Sequence, residues 1–356
     1  MKMTFRWYGQ SDPVTLERIR QIPGMTGVVT ALYSIPVGEV WDEKSILAQK
    51  AAVNAAGLEM EVIESVPVHE EIKLGSPERE HYIDNYIETI KNLGKAGVKV
   101  ICYNFMPVFD WVRSELHYRT ADGSSCLAYD QRTIDRLDPE KESLSLPGWD
   151  ESYTKDGLAE LLRRYKSVDE EKLFGNMVYF LGRIMPTCEE YGVRMAVHPD
   201  DPPWSLFGLP RIITSEANID RLFAAVDTPY NGLTLCTGSL GADRRNDLVA
   251  MAAKYASAGR VHFFHARNIR FTDREDGKLF FNETGHPTSC GSLDMYGIMK
   301  ALHDNGFDGY TRPDHGRNIW GEDGKPGYGL YDRALGATYL YGLWEAIDKT
   351  ERAAKN

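Results

Sequence analysis

Along this 356-residue chain, short apolar, strand-like runs alternate with helix-patterned segments eight times in succession. The runs fall at residues 4–8, 28–32, 61–64, 98–104, 193–198, 232–236, 261–265 and 308–312. The helical segments between and after them lie at 16–19, 43–56, from Ser76 through an Ile83/Ile87/Ile90 stripe, from Ser167 to 191, and at 215–226, 246–258, 292–305 and 329–348. Strict βα alternation implies a parallel sheet with its helices outside. Eight units predict a closed (β/α)8 TIM barrel. The rival, an open doubly wound sheet, lacks its signature, because no GxGxxG follows the first strands and no Gly-rich phosphate loop occurs. The expected architecture is therefore one α/β domain over residues 1–356. Local signals sharpen some boundaries. Ser76 reads as an N-cap with Pro77 at the first helical position, Ser167 with Glu170 as a capping box, Pro186 as a kink, and Ser292 as the cap of the seventh helix.

One connection breaks the regularity. Residues 107–166 separate the fourth strand from its helix, where such loops usually hold about 2–6 residues. Within them, 116–121 and 124–129 read as a hairpin on an Asp122-Gly123 turn. An insertion after a barrel strand lands on the C-terminal face, so this one is expected to form a lid over the mouth.

Composition narrows the function classes. Lys plus Arg is 41 against 52 for Asp plus Glu, a net charge of −11, which argues against a nucleic-acid or anionic-membrane surface. The five cysteines are scattered without a CxxC, which suits a reducing cytoplasm better than a disulfide framework. There is no apolar signal core at the N-terminus and no apolar run near the ~20 residues of a membrane span. We expect a soluble cytoplasmic protein. Tyr339, Tyr341 and Trp344 on the last helix suit either core or interface; a homo-oligomer is expected.

The chemistry gathers at the ends of the last four strands. They read Val197-His198-Pro199-Asp200-Asp201, Leu235-Cys236-Thr237-Gly238-Ser239, Phe264-His265-Ala266-Arg267-Asn268 and Arg312-Pro313-Asp314-His315. Consecutive barrel strands are neighbours, so these ends converge on one mouth. Each residue alone has an ordinary reading: a hydrogen-bonded histidine, a buried cysteine, a loop-capping aspartate. Together His198, Cys236, His265 and Asp314 form a set of first-row metal ligands, open enough for a catalytic ion. Arg267 and Arg312 suit an anionic substrate group, and Asn104, Asp200 and Asn268 suit sugar hydroxyls. Tyr328, between Gly327 and Gly329, lies in a loop able to fold over the mouth. His262 falls on the strand face opposite His265 and is assigned no role.

These four strand-end motifs, with Phe5-Arg6-Trp7-Tyr8-Gly9 and Gly327-Tyr328-Gly329-Leu330, closely resemble the mannonate dehydratases of hexuronate catabolism. The likeness spans the chain and is to the xylose-isomerase-like barrel family, not to the enolase-superfamily enzymes of the same activity. It implies dehydration of D-mannonate to 2-dehydro-3-deoxy-D-gluconate with Mn²⁺ or Fe²⁺, one divalent ion per subunit. His315 then becomes the leading acid/base group, with Tyr328 as its partner and Arg312 as a catalytic and anchoring cation. A metal-dependent sugar isomerase or epimerase is the alternative, although such sites usually hold two metals on several Glu and Asp. A nuclease would need a basic groove, and a silent binding barrel would have little use for four aligned ligands.

Overall fold

The computed structural model describes residues 1–138, 155–322 and 324–355. Its strands are β1 Lys2–Arg6, β2 Met25–Thr30, β3 Glu59–Glu64, β4 Val100–Tyr103, β5 Glu115–Arg119, β6 Ser125–Asp130, β7 Arg194–Val197, β8 Asn231–Cys236, β9 Val261–Ala266, β10 Ile269–Phe271, β11 Phe280–Glu283 and β12 Tyr310–Pro313. Eight of them close a parallel barrel in the order β1-β12-β9-β8-β7-β4-β3-β2. The predicted barrel is thus present, with each anticipated strand in its place. No helix among the described residues is long and apolar enough to cross a membrane.

Side-chain alternation divides the core. Val29, Val62, Val100, Ala196, Phe263 and Tyr310 form one cluster inside the barrel, while Phe264 belongs to the larger cluster between strands and helices. His262 falls on the Phe264 side. Its Nδ1 lies 3.0 Å from the Met195 carbonyl, and its ring lies flat against Gly232, where a Cβ would come within 2.4 Å. Tyr339 and Trp344 pack partly buried against the core, whereas Tyr341 is exposed.

Several boundaries differ from the local signals, for a common reason: a serine near a helix start was closing something else. Ser76 donates its N–H to Glu71 O (3.1 Å), completing the Gly75 C-cap of an unanticipated helix, Glu70–Leu74. The next helix starts only at Arg79. Ser167 donates its hydroxyl to Arg164 O (3.1 Å) at the end of another unanticipated helix, Lys155–Tyr165. Asp169 is the cap of Glu170–Tyr191, which continues through Pro186. Ser292 accepts from the Phe271 N–H, and Asp294 caps Met295–Asp304.

The largest addition is a second sheet, antiparallel, in the order β10-β11-β6-β5. The hairpin β5–β6 is the one expected on Asp122-Gly123. It is joined by β10 and β11, a hairpin after β9 that the sequence analysis passed over. Its Asp276-Gly277 turn, with Gly277 at φ +69°, was the available signal. Tyr129 of β6 stacks on Phe281 of β11 at 5.3 Å. Of the 107–166 excursion, residues 139–154 lie outside the described residues.

A buried ion network fastens this sheet to the barrel. Arg113, just before β5, grips both oxygens of Asp201 (2.7 and 3.1 Å) and Glu283 Oε1 (2.8 Å), with all three side chains almost fully enclosed. Removing one partner from such a cluster strands a charge in low dielectric and costs about 3–5 kcal/mol. We expect Arg113→Met to lose that much in chemical denaturation. Burial raises Asp201 and Glu283, but their arginine and histidine partners outweigh it and hold both below the usual carboxylate range. Their contribution is therefore full at neutral pH and is lost on acidification below that range. A wild-type denaturation midpoint measured from pH 7 to 3 should fall more steeply than that of Arg113→Met.

Candidate active site

Strand register assembles the site. Cys236 pairs with His265, and His265 with Arg312. Neighbours at one level of a parallel sheet point to the same face, so these three side chains form one layer just above Phe263 and Tyr310. Asp314 and His315 follow in the next residues, and His198 leaves β7 with its N–H on Tyr103 O (2.7 Å).

The ligand set comes together. One donor atom each from His198, Cys236 and His265 lies within 4.8 Å of the others. Asp314 stands 3.5 Å from Cys236 Sγ and 3.8 Å from His265 Nδ1. His198 Nδ1 faces the Pro199 carbonyl at 2.7 Å, which makes Nδ1 an N–H donor and leaves Nε2 as the nitrogen that would give up its proton to bind an ion. His265 Nε2 lies 3.1 Å from Arg312 Nε and 3.4 Å from Glu64 Oε2, while its Nδ1 is sealed without a hydrogen-bond partner among the described residues. An imidazole nitrogen left orphaned opposite a carboxylate is a fit for a cation. The thiol fits as well. Burial raises Cys236, but Arg267 and His198 outweigh it and bring it down to about 5. Burial lowers His198, and the Cys236 thiolate with two carboxylates outweighs it, bringing it up to about 9. The resulting imidazolium–thiolate pair carries the proton that a divalent ion would replace.

Opposite this set stands a proton-handling pair. His315 Nδ1 lies 2.9 and 3.0 Å from the two Glu283 oxygens, and its Nε2 lies 3.0 Å from the Tyr328 hydroxyl. Arg267 Nη1 also comes within 3.0 Å of Nδ1, a donor facing a donor; the Glu283 carboxylate reconciles them by accepting from both. The carboxylate therefore sets the tautomer, with the hydrogen on Nδ1 and the lone pair on Nε2. Burial, reinforced by Asp314, pushes the Tyr328 phenol up to about 12. Trp111 sets its ring edge-on to His315 at 5.3 Å. Asp314 and His315, though adjacent, serve opposite sides.

The remaining expected residues divide. Asn104 lines the cavity, and its side-chain oxygen accepts from the Met106 N–H. Asp200 instead accepts the N–H groups of Ile212 and Ile213, both at 2.7 Å, and Asn268 ties Pro287 O and the Leu293 N–H. Neither of these two lines the cavity; both hold loops. Arg267 and Arg312 do line it, yet both are paired with protein carboxylates. Arg267 reaches Asp201 (2.7 Å), Glu283 (3.1 Å) and Asp314 (3.2 Å), and Arg312 reaches Asp314 (2.7 Å) and Glu64 (3.0 Å). The sequence analysis missed Arg6, Glu64, Asp201 and Glu283. Glu64 and Arg6 end strands three and one and could have been found by extending the strand-end comparison to the first half of the chain.

A cavity of about 180 Å³, sized for a small polar ligand, is lined by His198, Asp314, His315, Tyr328 and the arginines, while Cys236, His265 and Glu283 are not among its lining residues. Comparison with known proteins identifies the family. A family model described as D-mannonate dehydratase (UxuA) matches residues 1–354. The mannonate dehydratase of Thermotoga petrophila is 58% identical over 99% of both chains, and that of Streptococcus uberis 55% identical over 99% of this chain and all of its own. The crystal structure of mannonate dehydratase from Streptococcus suis serotype 2 superposes with a TM-score of 0.91 at 47% identity, covering 99% of this chain and 96% of that one. A D-psicose 3-epimerase from Clostridium cellulolyticum, 15% identical with a TM-score of 0.55 over 99% of both chains, shares the barrel fold alone. A family model over residues 1–354, with relatives 55–58% identical over essentially the full length, places the chain in the D-mannonate dehydratase (UxuA) family.

Proposed function

We propose that the protein is a metal-dependent hydro-lyase that converts D-mannonate to 2-dehydro-3-deoxy-D-gluconate and water. The observation that carries the chemistry is the His315–Tyr328 pair, backed by Glu283 and facing a His198/Cys236/His265/Asp314 ligand set across one small cavity.

The reaction removes a proton from C2, next to a carboxylate, and expels the C3 hydroxyl. A bound divalent ion, Mn²⁺ or Fe²⁺ at one per subunit, would spread the charge that builds on the carboxylate and the 2-hydroxyl. The donor set suits this class, with imidazole and thiolate favouring iron and the carboxylate favouring manganese. His315 Nε2, with its lone pair fixed by Glu283, takes the C2 proton. Tyr328, protonated across the working range, gives its proton to the departing hydroxyl. Arg267 and Arg312 hold Asp314 and Cys236 in their charged forms and add a fixed positive field. Trp111, which lines the mouth, and the β5–β6 hairpin act as a lid that keeps bulk water from the enol before it becomes the keto acid. A reducing cytoplasm suits the five free cysteines. The isomerase or epimerase alternative is not favoured, since that likeness stops at the barrel.

Incubation with D-mannonate should yield a 2-keto-3-deoxy acid. Dialysis against a chelator should abolish the activity and added Mn²⁺ or Fe²⁺ should restore it; undiminished turnover by metal-stripped protein would sink the scheme. Assigning His315 as base and Tyr328 as acid predicts distinct losses, each about 10²–10⁴-fold in turnover. In deuterated solvent, His315→Asn should lose exchange at C2, while Tyr328→Phe should retain exchange but not eliminate water. Glu283→Gln should lower kcat far more than it changes KM, because it disturbs the tautomer of His315 and not a substrate contact; an unchanged kcat would count against that role.

A further inference from the structure

Three guanidinium groups line the cavity, from Arg6, Arg267 and Arg312, and they are not equivalent. Arg267 donates to Asp201, Glu283, Ser239 and Cys236 and approaches Asp314. Arg312 is held between Glu64, Asp314 and His265. A substrate carboxylate could bind either only by displacing a protein carboxylate from an enclosed ion pair.

Arg6 differs. It ends β1 and is 8% exposed. Its Nε and Nη1 are buried without a hydrogen-bond partner among the described residues. The nearest carboxylate oxygen, Glu64 Oε2, is 3.3 Å from Nη1 and is itself without a hydrogen bond among the described residues. The group is kept in place by aromatic faces instead, with its carbon 4.9 Å from the Tyr8 ring centre and 5.9 Å from that of Tyr33. Stacking holds a guanidinium by its face and leaves its in-plane N–H edge for a bidentate acceptor. Glu64 supplies a counter-charge but no hydrogen bond, and buried donors left in that state carry a desolvation penalty that an acceptor at the open edge would relieve. Tyr8 in turn packs edge-on against Tyr328 at 5.0 Å, so Arg6 belongs to the proton-donating side of the cavity.

We propose that Arg6 receives the substrate's carboxylate and is the residue that makes the site select aldonic acids over neutral polyols. The assignment rests on the aldonate reading above and refines it: Arg267 and Arg312 organise the metal side, and Arg6 faces the ligand. Glu64, shared between Arg6 and Arg312, keeps the empty pocket from being overly cationic without occupying the Arg6 edge.

The test measures KM for D-mannonate and the inhibition constant of the neutral analogue D-mannitol in metal-loaded wild type, Arg6→Lys, Arg6→Gln and Arg6→Met. Loss of a charge-assisted pair should raise KM by about 10–150-fold in Arg6→Met. Arg6→Lys should fall between it and wild type, while the mannitol constant stays within about threefold of wild type and metal content is unchanged. If Arg6→Met does not fold, Arg6→Gln supplies the same comparison. A KM within threefold of wild type overturns the proposal, and so does a parallel rise in the KM and the mannitol constant, which would mark a structural role. Failure of the wild type to turn over D-mannonate would instead defeat the functional reading. Calorimetric titration with D-mannonate and D-mannitol would then still decide whether Arg6 discriminates a carboxylate from its neutral counterpart.

Discussion

The site depends on one buried guanidinium. Arg267 is 1% exposed and touches Asp201, Glu283, Ser239, Cys236 and Asp314. In a low-dielectric interior, each of those anions is tolerable only with a counter-charge nearby. The thiolate and carboxylate of the ligand set and the carboxylate that orients His315 share this one. Its place is kept by Gly238, where a Cβ would stand 2.0 Å from Arg267 Nε. The metal side and the proton side are thereby coupled: a shift of Arg267 would disturb both.

The barrel alone does not make this site. Strand ends supply the ligands, because parallel register brings Cys236, His265 and Arg312 to one level. Groups that back His315 and border the mouth come from outside the barrel. Glu283 lies on β11, Arg113 on the approach to β5, and Trp111 in the same excursion. The second sheet acts as a scaffold whose ion network fastens it to the barrel and whose strand β11 presents Glu283 to His315. Stability and catalysis draw on the same residues, so substitutions at Arg113 or Glu283 affect both.

Much of this was legible in the chain. Strand-like runs and helical stripes report a local period, and His198, Cys236, His265 and Asp314 could be aligned because each follows its strand by a fixed count. Helix starts were less legible, because Ser76, Ser167 and Ser292 carry cap chemistry that serves neighbouring segments. Asp200 and Asn268 sit beside true site residues in sequence but turn their polar atoms to loop backbone. Glu283 escaped notice because nothing local distinguishes it from a surface charge, and Arg6 and Glu64 because only the last four strand ends were compared. They become site residues only when barrel closure and the second sheet bring the ends of β1, β3 and β11 to the mouth that β12 also reaches.

The sequence by itself determined the barrel, the order of its strands and the ligand positions at their ends, since each follows from periodicity and from the adjacency of successive parallel strands. Only the tertiary structure decided which charged groups are paired and which are left open. Pairing is a matter of distances across the mouth between residues as far apart as Arg6 and Glu64, or Arg267 and Asp201, and no spacing rule along the chain encodes those distances. By that criterion the dense cluster at Arg312-Pro313-Asp314-His315 divides into a candidate ligand, a histidine held by Glu283 and an internally paired arginine, and the cation whose N–H edge is left without a hydrogen bond proved to be Arg6, at the far end of the sequence.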